Sequence, residues 1–457
     1  MKNKNTDKKP VLGRRSAFVA TILLAIPTLG FAGTTTTTVK TETSKSPLEQ
    51  WWNGKYATGT WFGGRNILED HGVTLSGEWK ANLLWNVDGG LQQRFGYDDE
   101  WKFRVLLDFA KLTGWETIEG LSAYSDVRYR GGAGVNKWVG ASNNFAPSTF
   151  QGGRLWLFQN AYLSYVTPKL FGIKEFLTLS GGWQNPTDIF INQPLSKFFL
   201  NNTFTSGKGL STNGIPWGGS YAAWGGYLKV KPVDWYYAQA GLYLAIPGGT
   251  NTADHGLDFA GNQINPDSNG LYFIGETGFT PKIGPSKLPG KYAAGVIYWG
   301  VENTSFYGEK YDQRNEVYFQ ADQQIYREPS RRAIVKAPSA GKSGKEVVTA
   351  PKLSEQGLYF FSLFNVAPAF NNTLPFYFQT GLVYKGLIPT RDSDQVGVAL
   401  AYGSYSSNLQ QSQADSGKPV QTYEGVLEFD YRVQINKWAY VQPNLQYIIR
   451  PNGNGLT

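Results

Sequence analysis

From Val73 onward the chain alternates apolar and polar residues with a period of two. Val73, Leu75, Gly77, Trp79, Ala81, Leu83 and Trp85 fall on one face; Thr74, Ser76, Glu78, Lys80, Asn82, Leu84 and Asn86 fall on the other. The pattern returns in Trp101–Phe109, where Lys102, Arg104 and Asp108 take the polar side. It returns again in Leu121–Arg130, with Asp126, Arg128 and Arg130, and near the end in Tyr423–Val433, with Glu424, Glu428, Asp430 and Arg432. Such alternation predicts strands with one apolar and one wet face. A soluble antiparallel sheet shares that property, so three further features decide the class. The runs match the roughly 9 to 11 residues of a tilted membrane strand. Trp101, Trp235, Tyr431 and Trp438 sit at strand ends, where interfacial girdles place aromatics. Connections alternate between short and long. Together these predict an all-β protein, a transmembrane antiparallel β-barrel with an apolar outside and a polar lumen.

Counting runs gives fifteen strands, beginning near residues 73, 101, 121, 154, 176, 221, 235, 271, 292, 317, 357, 375, 396, 423 and 439. A chain that enters a barrel from the periplasm must return there, so an even number is required. Sixteen strands are expected and fifteen found, which predicts that a C-terminal closing strand is missing and that this chain does not close. An open edge in lipid leaves backbone groups unsatisfied at several kcal/mol each. Short turns such as 111–120 and 435–438 are assigned to the periplasm. Long loops such as 131–153 and 185–219 are assigned to the outside, as candidates to fold inward and narrow the pore.

The N-terminus adds a second theme. Lysines and arginines before residue 16 precede an apolar stretch from Ala17 to Ala32, with Gly30 and Ala32 at the small-residue cleavage positions, so residues 1–32 read as a secretory signal. Residues 33–58 read as a low-complexity linker and residues 59–72 as a short periplasmic lead-in, closed by Gly72 where a helix could end. Residues 73–457 form the barrel. No apolar run elsewhere approaches the roughly 20 residues of a membrane helix.

Charge narrows the function. The formal net charge of +8 is uneven: residues 1–32 carry +5 and residues 327–356 carry +4, leaving the rest near −1. A nearly neutral body argues against nucleic acid as a partner. The basic stretch 328–356 lies, by strand parity, in a periplasmic turn, and reads as an insertion. The chain has no cysteine and two histidines, His71 and His255. That leaves little material for a metal site, a thiol nucleophile or a His-based triad, and no cofactor is implied.

A polar solute entering a narrow pore needs replacement hydrogen-bond partners that also release it. Alternation points Glu78, Lys80, Lys102, Arg104, Asp108, Asp126, Arg128 and Arg130 inward on the first three strands, and Glu424, Glu428, Asp430, Arg432 and Arg450 inward on the last two. Closure would join these groups across the seam into one charged wall, the candidate selectivity surface. Trp156, Phe158 and Tyr162 fall on the inward set of the fourth strand and could stack on sugar rings. No catalytic residue is assigned. The competing reading is a secreted β-rich protein that binds carbohydrate or hydrolyses glycosides, since two carboxylates suffice for the latter.

The run Gly59-Thr-Trp-Phe-Gly-Gly-Arg-Asn-Ile-Leu-Glu-Asp-His-Gly-Val-Thr-Leu-Ser76 resembles the start of the carbohydrate-selective outer-membrane porins of the OprB type. So do Asn86–Leu91, Lys111–Trp115, Ala321–Pro329, Tyr384–Asp392 and Trp438–Pro451, with Val441-Gln-Pro-Asn-Leu-Gln-Tyr447 similar to the family's penultimate strand. The resemblance implies a sixteen-stranded pore passing small sugars such as glucose across the outer membrane of a Gram-negative bacterium. It also implies a charged constriction, contact with outer-membrane lipid, and recognition by the insertion machinery through the C-terminal strand. Monomer and trimer both stay open. Phe62 interrupts the family's usual Trp-Gly-Gly, and the segment 328–356 is longer than the family's turn.

Overall fold

The computed structural model describes residues 16–27, 46–150, 155–205, 212–213, 215, 222–245, 270–329 and 355–455. Sixteen long antiparallel strands build one ring: β1 Ser16–Pro27, β2 Val73–Gly89, β3 Phe95–Asp108, β4 Leu121–Gly132, β5 Leu155–Val166, β6 Leu177–Gln184, β7 Ala223–Val233 and β8 Tyr236–Leu244 come first. Then follow β9 Leu271–Phe279, β10 Leu288–Trp299, β11 Arg314–Arg327, β12 Gly357–Val366, β13 Phe376–Lys385, β14 Gln395–Ser404, β15 Tyr423–Asn436 and β16 Ala439–Ile449. A two-residue ribbon, Lys282–Ile283, extends the β9–β10 turn. The fifteen strands read from alternation are all present, with β3 reaching back to Phe95.

Closure corrects the expectation of an open barrel. β1 lies antiparallel to β16, from Ser16↔Ile449 to Ala25↔Tyr440, and also to β2, from Ala17↔Gly89 to Pro27↔Glu78. The stretch that reads as a signal thus occupies the sixteenth seat. Backbone pairing explains how: two strand edges demand donors and acceptors, and any extended stretch supplies them whatever its side chains. Side chains explain why alternation missed it. Ala17, Val19 and Leu23 are buried on its inner face, where other strands carry polar groups, and Phe18 and Ile22 are exposed on its outer face. A strand greasy on both sides has no period-two signature. Wall strand and cleaved leader are mutually exclusive roles in one molecule; Gly30 and Ala32 themselves lie outside the described residues.

Elsewhere polarity is inverted relative to a soluble protein. Outward residues such as Phe103, Leu163, Leu242, Val296, Phe319 and Leu445 are exposed, whereas Glu316, Gln379, Asp430, Gln442 and Gln446 are buried inside. Apolar residues outside and satisfied polar residues within are what lipid around a wet lumen selects.

Two features precede β2. Pro47–Trp52 is a short helix capped by Ser46, whose hydroxyl accepts the Glu49 N–H at 3.2 Å, so part of the segment read as linker has structure. Its Trp51 ring packs 4.8 Å from that of Trp438. The helix Gly64–Asp70 is followed by Gly72 at φ 87°, where a Cβ would lie 2.6 Å from the Asp108 carbonyl oxygen, so only glycine fits. Most of the basic segment, residues 330–354, lies outside the described residues. Its flanks join β11 to β12 at the end of the barrel that carries the short turns.

Candidate functional site: a constriction between a charged wall and an inward loop

The wall begins with register. Pairing of β2 with β3 and of β3 with β4 aligns Lys80, Glu100 and Arg130 in one cross-strand row, and Glu78, Lys102 and Arg128 in the next. A third row holds Ser76, Arg104 and Asp126. All point inward by the pleat, so opposite charges neighbour one another along and across strands. Arg104 donates to Glu78 at 2.7 Å, and Lys80 also pairs with Glu78. Lys102 and Arg128 share Asp126 at 3.2 and 3.5 Å, and Arg130 meets Glu100 at 2.8 Å. Each pair is close enough to hold its partner's side chain in place.

The opposite boundary is the segment between β6 and β7. Residues 185–205 run inside the barrel and make three short 3₁₀ turns, at Pro186–Asp188, Ser196–Phe198 and Asn202–Phe204. Phe190, Ile191, Phe198, Phe199 and Phe204 are buried in the same apolar cluster as Tyr243, Tyr318, Phe361 and Tyr377 of the wall. Hydrogen bonds fix the path. Asn160 donates to Asp188 at 3.1 Å, and the Ile191 N–H donates to Glu276 at 3.2 Å. Gln193 donates to the Ser362 carbonyl at 2.9 Å, and Thr203 meets the Tyr377 hydroxyl at 2.8 Å. Glu428 accepts the Leu200 and Asn201 N–H groups at 2.6 and 3.1 Å. Glu276 also accepts from Tyr237, Gln239, Tyr318 and Gln320, at 2.8, 2.9, 2.9 and 3.1 Å. The loop is therefore anchored to β5, β9, β12, β13 and β15, with Asp188 turned towards the charged wall of β2 to β4.

Asp188 brings the two boundaries together. Burial disfavours its charged form, but the nearby cations Lys102, Arg128 and Lys197 outweigh burial and hold its carboxyl below the usual carboxylate range.

The predicted residues divide accordingly. Glu78, Lys80, Lys102, Arg104, Asp126, Arg128 and Arg130 share the inward face of β2 to β4. Asp108 instead caps the turn helix Phe109–Thr113, accepting the Lys111 N–H at 3.2 Å. Glu424, Glu428 and Asp430 point inward but are buried under folded-in segments. Glu424 accepts the Ser142 and Asn452 N–H groups at 3.1 and 2.9 Å, and Asp430 accepts from Gln442 at 2.6 Å. Arg432 donates to Gln442 at 2.7 Å and lies over Phe198 and Tyr440. Arg450 stands at the loop end over the Tyr423 ring. The two charged groups do not merge, because β1 stands between β16 and β2 with its apolar inner face.

Trp156 and Phe158 are a further correction. The β4–β5 register jumps between Asp126↔Asn160 and Val127↔Phe158, a bulge at Gln159. An extra residue reverses the facing of everything before it. Trp156 is consequently 48% exposed on the outside, packed against Tyr129, and Phe158 shares that face. Tyr162, beyond the bulge, stays inward beside Tyr124 at 5.3 Å.

Sequence reasoning missed Glu100, Asp188, Asn192, Lys197, Lys229 and Lys291. The inward parity of β7 and β10 would have flagged the last two. Asp188, Asn192 and Lys197 belong to a loop whose abundance of Asn, Gln and Phe hinted at burial but gave no address.

A closed barrel with lipid-type outer polarity and a lumen narrowed by an inward loop defines a porin. The chain belongs to the OprB family of carbohydrate-selective porins, which it matches over residues 92–456. It is similar to Porin B of Pseudomonas aeruginosa, 25% identical over 429 residues covering 88% of each chain. It is also similar to the putative porin QuiX of Acinetobacter baylyi, 20% identical over 87% of this chain and 89% of that one. The high-pH structure of Pseudomonas putida OprB shares the fold, with a TM-score of 0.67 and 18% identity over 86% of this chain and 97% of that one. The protein is an outer-membrane sugar porin of the Gram-negative type, and its family and fold point to a channel.

Proposed function

We propose that glucose and similar monosaccharides diffuse passively through the passage between residues 185–205 and the β2–β4 wall. The observation that carries this reading is the cross-strand lattice of paired charges facing an inward loop inside a closed barrel. Paired charges offer donors and acceptors to sugar hydroxyls without building a large net field. Arg104 and Lys102 are the donors, Glu78 and Asp188 the acceptors, and each is already positioned by a partner, so binding orders little and release stays quick. The inward Tyr124 and Tyr162 supply flat faces beside the wall.

Proteoliposome swelling tests it. Glucose should enter several-fold faster than a trisaccharide, and Arg104→Ala should reduce that discrimination. Equal rates for both sugars in the unaltered protein would overturn the reading.

A further inference from the structure

The charged wall is not symmetric in depth. In the Lys80–Glu78 pair the lysine side chain is 31% exposed and the glutamate 7%; in the Lys102–Asp126 pair the values are 13% and 0%. In these two pairs the acid lies deeper and the cation stands towards the passage, while Arg130 and Glu100 are level at 12% and 11%. Three more lysines join Lys80 and Lys102. Lys197 donates to the Asn192 side-chain carbonyl at 2.9 Å, and Lys291 donates to the Asn192 backbone carbonyl at 3.0 Å. Lys229 lies 4.8 Å from the Tyr237 ring centre and Lys291 lies 6.0 Å from the same ring. One asparagine and one tyrosine thus gather three ammonium groups, each held by a neutral partner. Among the described residues none of the three has a carboxylate within 4.0 Å. The acids nearest them are shared or buried: Asp188, near Lys197, also lies near Lys102 and Arg128 and accepts from Asn160, Glu276 is buried among five donors, and the carboxylate oxygens of Asp322, opposite Lys291 in register, are buried in the wall.

We infer that Lys197, Lys229 and Lys291, together with Lys80 and Lys102, make the passage an anion site that selects sugars bearing a carboxylate, such as aldonic and uronic acids, over neutral sugars of equal size. A solute of this class has hydroxyls for the paired wall and a carboxylate for the ammonium trio. Cations facing a narrow, low-dielectric passage raise the local concentration of anions, and salt screens the effect. The inference rests on the sugar-porin reading for its substrate, but the sign of the field can be measured without any sugar.

The experiment uses the full chain in planar bilayers. Zero-current potentials in a KCl gradient should show chloride preferred over potassium, with the preference falling as salt rises. Sodium gluconate should block the ion current at lower concentration than glucose. Each of Lys197→Gln, Lys229→Gln and Lys291→Gln should lower the chloride-over-potassium ratio by about threefold, and the arginine variants at the same positions should restore it. A channel that passes glucose but shows no chloride preference overturns the inference and leaves the porin reading intact. Chloride preference moved by the lysine variants, in a channel that excludes glucose, sustains the anion site and sinks the neutral-sugar reading. Unchanged selectivity in all three glutamine variants also overturns the inference, provided that each still runs as a compact band before boiling.

Discussion

Glu428 on β15 accepts the backbone N–H of Leu200 at 2.6 Å, joining residues 228 apart in sequence. Asn201 and Asn444 donate to the same carboxylate, at 3.1 and 2.7 Å. One wall residue therefore fixes the middle of the inward loop. Hydrogen bonds to a carboxylate are worth roughly 1.5–3 kcal/mol each, so losing the Leu200 and Asn201 bonds loosens the middle of the loop even though its phenylalanines stay buried. Glu428→Ala should free residues 198–202 and raise single-channel conductance, with disaccharides entering liposomes that the unaltered protein excludes. An unchanged conductance would show that the phenylalanines alone hold the loop.

The bulge at Gln159 makes a sharper claim, because two nearby aromatics of one strand face opposite media. Phe158→Lys places a charge against lipid, at a cost of about 2–4 kcal/mol near the midplane. Tyr162→Lys adds one to a wet lumen. The first should reduce folded protein in the membrane and the second should not, read as the fraction that resists unfolding in SDS without heating. Deleting Gln159 should restore strict alternation and harm folding more than either substitution.

At the turn end, Asp394 accepts from Arg391 through both oxygens, at 2.9 and 2.8 Å, and from the Tyr431 hydroxyl at 2.6 Å. It also accepts the Gln434 N–H at 2.9 Å. Burial raises its pKa, but the Arg391 bonds, the tyrosine and the backbone N–H together bring it below the ordinary range. A carboxyl whose folded pKa is depressed stabilises fully above its unfolded value and loses that contribution as pH falls through the folded one. Asp394→Asn should therefore lower the melting temperature by a constant few degrees above about pH 5. The gap should close as the pH drops below about 4. A gap that persists at pH 2 would assign the effect to shape rather than charge.

Closure by β1 gives a deletion test. A chain beginning at residue 33 leaves β2 and β16 with unpaired edges, each exposed backbone group costing several kcal/mol in lipid. Refolded in detergent, it should lose the compact, heat-sensitive band that the full chain shows. An equally compact band from the shortened chain would mean that another segment takes the sixteenth seat.

Much of this architecture was legible because lipid and water impose a two-residue period on every wall strand. The fifteen strands and their inward charges follow from it, and the Gly72 stop follows from the left-handed conformation that ends a helix. What escaped shares a physical cause: the information was not periodic. β1 pairs through its backbone while its described side chains, Ser16 and Thr21 apart, are apolar on both faces. One extra residue at Gln159 reverses Trp156 and Phe158 without changing the letters around it. Glu424, Glu428 and Asp430 were rightly placed inside, but alternation cannot tell a carboxylate that meets solute from one that meets a loop's N–H groups. Lys197 and Asp188 reach the passage only because Phe190, Phe198 and Phe204 bury themselves elsewhere.

The inward loop is fastened to strands from β5 to β16 by carboxylates, amides and ring packing at both of its ends and along its middle. Releasing it would break several hydrogen bonds to carboxylates and amides at once, so it behaves as part of the wall. Among the described residues the width of the passage is thus set once, when the barrel folds around the loop.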